Sequence, residues 1–186
     1  AIAEVIDSRA FISGPYVKKF ECEFAQALNV EHAIGCSNGT AALSLALEAA
    51  GIRRGDEVIT VANTFIATAE AICHVGATPV FVDVIADDYT IDPAQVEDAI
   101  TDKTRAIIPV HLYGTPCQMD KLASIASRHN LQIIEDCAQA HMARFDGHSV
   151  GTFGVAGTFS FYPGKNLGAM GDAGAIVSQD RDFSQN

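Results

Sequence analysis

Hydrophobic and polar positions follow two different periods along this chain. Over residues 16–28, Val17, Phe20, Phe24 and Leu28 recur at helical spacing with charges on the other face, which predicts an amphipathic helix. Residues 40–50 are rich in Ala and Leu and read as a second helix, stopped by Gly51. Residues 65–75 read as a third, with Gly76 after it. Residues 93–100 form a short one, with Asp92 as its cap and Pro93 at its first position. A fifth covers residues 119–129. Between these lie short apolar runs at residues 31–36, 57–62, 79–84, 105–110, 131–135, 158–162 and 173–178, which read as strands.

Strands that alternate with helices imply an α/β fold with a largely parallel sheet, covered on both faces. No internal repeat, low-complexity stretch or interdomain linker interrupts the pattern. In such sheets ligands bind beyond the C-terminal strand ends. Polar residues collect there after five successive strands: at residues 37–40, 63–65, 111–114, 136–139 and 160–165. Polar strand ends are common in any α/β domain, so this rim marks a candidate site without naming its chemistry.

Composition narrows the choice. The chain has 186 residues, 48% hydrophobic and 19% charged, which suits one globular domain with a sizeable core. Net charge is −11, with 12 Lys+Arg against 23 Asp+Glu, which argues against a nucleic-acid partner. An anionic ligand would need locally placed donors such as helix N-termini. No apolar run reaches the ~18 residues of a membrane span, so no membrane partner is expected. The first ten residues lack a secretory pattern, and the missing initiator Met points to a processed or cut chain. Five cysteines, at 22, 36, 73, 117 and 137, lie in or beside apolar segments, which suits buried thiols in a reducing cytoplasm. Pairing His111 with Cys117, or Cys137 with His141, matches no zinc spacing, so no metal site is expected.

Three segments carry candidate chemistry. Ser37-Asn-Gly-Thr-Ala-Ala-Leu43 is a strand-to-helix turn. Gly39 permits close backbone approach, and the N–H groups near Thr40 and Ala41 could bind an anion. The alternative is a plain N-cap by Ser37 or Asn38. Asp136 emerges after Ile133-Ile134-Glu135, so its carboxylate is either an N-cap or the partner of a buried cation such as a protonated pyridine nitrogen. Lys165 sits in a turn with glycines at 164, 168, 171 and 174, which leave little bulk around its amine. Alone it reads as an ordinary loop lysine. With the other two segments it reads as the lysine, the acid and the phosphate cradle of a pyridoxal phosphate (PLP) enzyme. Its amine would form a Schiff base and later move a proton. Phe65, on the same rim, either stacks on the ring or packs in the core.

Phe159-Ser-Phe-Tyr-Pro-Gly-Lys165, Glu135-Asp-Cys-Ala-Gln139 and Ser37-Asn-Gly-Thr40 resemble the DegT/DnrJ/EryC1/StrS family of PLP-dependent nucleotide-sugar aminotransferases, of the fold-type I superfamily. Phe11-Ile-Ser-Gly-Pro15, Asp56-Glu-Val-Ile59, Asn63-Thr-Phe-Ile-Ala-Thr68 and His111-Leu-Tyr-Gly114 extend the resemblance over essentially the whole chain, in the family's order. It implies a three-layer α/β/α sandwich with a mixed, mainly parallel sheet. It implies Lys165 as the aldimine lysine and Asp136 on the pyridine nitrogen. Gln139 would lie by the phenolic oxygen and Phe65 on the ring, with Gly39, Thr40 and Ser160 at the phosphate. His111 to Gly114 would border the cofactor and support Asp136.

The implied reaction takes an amino group from L-glutamate, through pyridoxamine phosphate, to a keto group of a nucleotide-linked sugar. Relatives that dehydrate carry histidine in place of the lysine, and Lys165 argues against that branch. Tyr162-Pro-Gly-Lys-Asn-Leu-Gly-Ala169 and Gly171-Asp-Ala-Gly174 look more like members acting at C-3 of dTDP-deoxysugars than like the 4-amino branch. The intact enzyme is expected to be a homodimer. The resemblance also implies that residues 1–186 are the large, PLP-binding domain, cut at both ends, with a further helix starting after Ser178 and a small C-terminal domain missing. Met142 departs from the family, which often carries Gly there. A non-catalytic PLP-binding or dimerisation fragment shares every motif. A PLP-free Rossmann domain would need G-x-G-x-x-G, which Gly35-Cys-Ser-Asn-Gly39 does not match.

Overall fold

The structure is a computed structural model and describes residues 1–183. A short helix, α1 (Ile2–Ser8), precedes α2 (Pro15–Leu28), which buries Phe24, Ala25 and Leu28, while Val17 and Phe20 of the predicted apolar face are exposed. Strand β1 (His32–Cys36) leads into α3 (Gly39–Ala49), where Asn38 caps the helix by accepting the Ala41 N–H. Gly51 follows at φ 77°, the left-handed stop expected of it. Next come β2 (Glu57–Val61), α4 (Ala67–His74) and β3 (Thr78–Val82). Asp92 caps α5 (Pro93–Asp98) through the Ala94 N–H. β4 (Thr104–Ile108), α6 (Met119–His129) and β5 (Gln132–Asp136) follow. A two-residue hairpin, β6 (Arg144–Phe145) with β7 (His148–Ser149), comes before β8 (Ala156–Ser160) and β9 (Gly174–Ser178).

Seven strands form one sheet in the order β1-β9-β8-β5-β4-β2-β3. β8, β5, β4, β2 and β3 are parallel, while β9 runs antiparallel to both β8 and β1. The sheet is therefore mixed and mainly parallel, as expected. Side chains alternate across β9. Ile176 packs in the cluster that contains Leu43 and Leu47 of α3, while Ala175 and Val177 pack with Phe24 and Leu28 of α2. Helices thus cover both faces, and the parallel strands send their C-terminal ends to one rim.

Several expectations shift. The helix predicted from residue 65 begins at Ala67, with Phe65 and Ile66 in the turn that leads into it. The strand predicted over residues 158–162 spans Ala156–Ser160, because the chain turns at Pro163. The hairpin was not foreseen, although Asp146-Gly147 at its tip, both at positive φ, is a hairpin signal. Cys117 and Cys137 are buried as expected, but Cys22 and Cys73 are exposed, on the outward sides of α2 and α4. Part of the helix expected after Ser178, residues 184–186, lies outside the described residues. Among the described residues, no helix is long and apolar enough to cross a membrane.

Candidate functional site

The polar rim closes around a pocket of about 540 Å³, within the range of ligand sites. Gly39, Thr40, Phe65, Asp136, Gln139, Ser160 and Lys165 all line it. Ala41 does not, since its N–H is spent on Asn38 Oδ1 at 2.8 Å. Phe65 is 65% exposed, which rules out the core-packing alternative. A second recess of about 350 Å³ shares Gln139, Gly164 and Lys165 with the first and adds Tyr113 and Asn166.

Close approach shapes the α3 end of the pocket. A Cβ on Gly39 would stand 2.7 Å from Ser160 Cβ, so this turn tolerates only glycine without a shift. On the other side, a Cβ on Gly174 would stand 2.4 Å from the Asn38 carbonyl oxygen. The start of α3 is thereby wedged between β8 and β9. The N–H groups of Gly39 and Thr40 occupy the first helical positions, where no intrahelical acceptor exists. They can serve an anion, with the hydroxyls of Thr40 and Ser160 beside them.

Asp136 ends β5 and is 6% exposed. Its Oδ1 accepts the Ala138 N–H at 3.1 Å, and its Oδ2 accepts the Thr68 hydroxyl at 2.8 Å. The Ala138 bond closes a turn rather than capping a helix, since no helix follows β5 among the described residues, and it leaves room for a further partner. Among the described residues no ion pair engages it. Burial pushes its carboxyl up from the ordinary value. Lys165 reaches the pocket from a turn whose backbone N–H donates to the Tyr162 carbonyl at 2.8 Å. No hydrogen bond or ion pair engages its Nζ among the described residues. Gln139 Oε1 accepts the Tyr113 N–H at 3.0 Å, which fixes that side chain at the rim.

Behind the pocket lies a buried network that the motif reading did not resolve. Glu135 is fully buried, and each of its oxygens accepts two N–H bonds. Oε1 takes Phe153 at 2.7 Å and Gly154 at 2.9 Å. Oε2 takes Gly151 at 2.7 Å and His111 Nε2 at 3.0 Å. His111 Nδ1 accepts the Cys117 N–H at 3.0 Å, so the ring is the neutral Nε2–H tautomer. The His111 backbone N–H in turn donates to the Asp136 carbonyl at 3.0 Å. His111, Glu135 and Cys137 have ligand atoms within 4.8 Å of one another. The hydrogen bonds already use the ring and carboxylate lone pairs that a cation would need, and burial pushes the Cys137 thiol up to about 12. Thr68 was also missed. Its motif had been noted, but only the fold brings residue 68 to residue 136.

Fold and pocket together define an α/β domain with one polar ligand site at its strand ends, and comparison with known proteins gives the family. The model of the DegT/DnrJ/EryC1/StrS aminotransferase family matches residues 1–186, so the chain belongs to this family. A protein of Geobacillus stearothermophilus described as a pleiotropic regulatory protein is 53% identical over 98% of this chain and 49% of its own length. The dTDP-3-amino-3,4,6-trideoxy-alpha-D-glucose transaminase of Streptomyces venezuelae is 50% identical over 100% of this chain and 49% of its own. The crystal structure of S. venezuelae DesV in complex with a ketimine intermediate superposes with a TM-score of 0.96 at 50% identity, covering 99% of this chain and 50% of that one. The chain thus spans about half the length of the relatives it matches. Aminotransferases of this family use PLP.

Proposed function

We propose that this chain binds PLP and forms the catalytic half of an aminotransferase that moves an amino group from L-glutamate to a nucleotide-linked keto sugar. The observation that carries the reading is the meeting of an unengaged lysine, a buried unpaired carboxylate and an open helix N-terminus in one pocket. That donor set fits the cofactor's aldehyde, ring nitrogen and phosphate. When bound, PLP supplies an electron-withdrawing ring that stabilises negative charge on the carbon bearing the amino group.

Each residue then has a defined task. Lys165 Nζ would hold the cofactor's aldehyde and, when its amine is free, would hold and move the proton at the carbon bearing the amino group. Asp136 would keep the ring nitrogen protonated. Gly39, Thr40 and Ser160 would hold the phosphate, with Phe65 on the ring and Gln139 by the phenolic oxygen. The recess along Tyr113 and Asn166 gives substrate a way to Lys165. The name of the S. venezuelae relative supports a dTDP-deoxysugar aminated at C-3, with a 4-keto sugar as the alternative. The intact protein is read as a homodimer, since Ile12 and Met170 are more than 90% exposed and Phe11, Tyr162 and Leu167 add to the apolar surface. A non-catalytic role is the second reading, favoured by the regulatory description of the 53% identical relative.

Incubation with PLP, borohydride reduction and peptide mapping test the site. The label is expected on Lys165 and absent from Lys165→Ala. A protein that takes up no label, or takes it up at another lysine, overturns the assignment. Labelling at Lys165 without amino transfer from glutamate to any nucleotide-linked keto sugar would favour the non-catalytic reading.

A further inference from the structure

Asp136 is held from the helical layer by two threonines. Thr68, in the first turn of α4, is fully buried and donates its hydroxyl to Asp136 Oδ2. Thr64 Oγ1 lies 2.9 Å from Thr68 Oγ1. A hydroxyl carries one hydrogen, and Thr68 spends its own on Asp136, so Thr64 is the donor to Thr68. The direction of the chain is therefore Thr64 to Thr68 to Asp136. Thr64 stands at the pocket wall and is half-buried, so the chain runs from the ligand space to the back of the carboxylate. Helical threonines commonly turn the hydroxyl back to a carbonyl of their own helix. Thr68 instead bonds a strand end 68 residues away.

We propose that Thr68, backed by Thr64, is a positioning residue for Asp136, holding Oδ2 in place and favouring its ionised form against the surrounding burial. The consequence for the cofactor rests on the reading above, in which Asp136 meets the ring nitrogen. Burial is the largest influence on the carboxyl and pushes it up; the Ala138 N–H and the Thr68 hydroxyl act against burial. The titratable groups facing it are His111 from the segment after β4, Lys165 from the loop after β8, and Cys137 next along the chain. In the cofactor-free protein the folded state keeps this proton to higher pH than the unfolded state. The contribution of Asp136 to stability is then present on the acid side and is lost as pH rises through the folded value. Removing the Thr68 hydroxyl leaves burial less opposed and moves that fall to higher pH.

Two measurements test the proposal. In equilibrium dialysis against PLP, Thr68→Val should bind roughly tenfold more weakly, the scale of one hydrogen bond to a charged group. Thr68→Ser should restore binding, and Thr64→Val should show a smaller loss. On an Asp136→Asn background, Thr68→Val should cost nothing more. Unchanged binding by Thr68→Val, equal losses on both backgrounds, or no rescue by serine would reduce Thr68 to packing. Denaturant melts of the cofactor-free protein against pH provide the second arm. Thr68→Val and Thr64→Val should both move the pH-linked fall upward, and Asp136→Asn should abolish it. A wild type that binds no PLP refutes the reading of the pocket, while these melts still decide the proposal; curves that do not move overturn it.

Discussion

Glu135 is the residue whose removal should cost most. A buried carboxylate is tolerable only when its lone pairs are occupied, and here two backbone N–H groups meet one oxygen while a third and an imidazole N–H meet the other. Glu135→Ala leaves all four donors without an acceptor. The expected loss is about 4 kcal/mol or more, since each stranded buried donor costs about 1–3 kcal/mol. Thermal unfolding should then fall by roughly 10 °C or more. A melting point within about 2 °C of wild type would mean that water or a rearranged loop replaces the carboxylate. Neighbouring Asp136 is the contrasting case, with spare capacity and, among the described residues, no ion pair. Adjacent acids on one strand end up on opposite faces, one committed to the scaffold and the other facing the pocket.

At the scale of elements, the start of α3 couples packing to ligand binding. Gly39→Ala places a methyl 2.7 Å from Ser160 Cβ, and both are rigid backbone-borne atoms. A cost of about 1–3 kcal/mol follows from overpacking. PLP affinity, measured by dialysis, should fall further than stability does, because on the proposed reading the displaced N–H groups donate to the phosphate. Equal affinity in the variant would remove the phosphate from this helix. Most elements were legible from periodicity and caps: α2 and α6 were predicted to within a residue, and Asp92 was predicted as a cap, whereas α1 and the β6–β7 hairpin were not predicted. Boundaries beside the site were less so, because Phe65 and Ile66 carry a helical pattern while forming the turn that presents Phe65 to the pocket. Thr68 was unreadable as a contact, since nothing local links positions 68 and 136.

At the scale of the whole molecule, the parallel α/β class was legible from alternation, whereas the position of β9 was not. A short run such as residues 174–178 states that it is a strand but not which neighbours it takes or in which direction. The exposed apolar surface also belongs to this scale. Phe11, Ile12, Tyr16, Val17, Phe20, Phe161 and Leu167 line a broad groove of about 1210 Å³. On the homodimer reading, sedimentation should reveal reversible self-association that Ile12→Glu weakens at least about tenfold, the cost of setting a charge in an apolar contact. A chain that stays monomeric at every concentration would refute that reading for this chain.

The insertion of β9 between β1 and β8 has a consequence for the order of folding during synthesis. Among the described residues β1 has no sheet partner except β9, so residues 32–36 must wait until residues 174–178 have emerged from the ribosome. The five parallel strands need no such delay, since each pairs with a neighbour made before them or soon after. The turn after β1 and the lysine loop before β9 are then joined by the same late event. A nascent chain would carry the paired strands β2, β3, β4 and β5 well before it could hold a phosphate on the proposed reading.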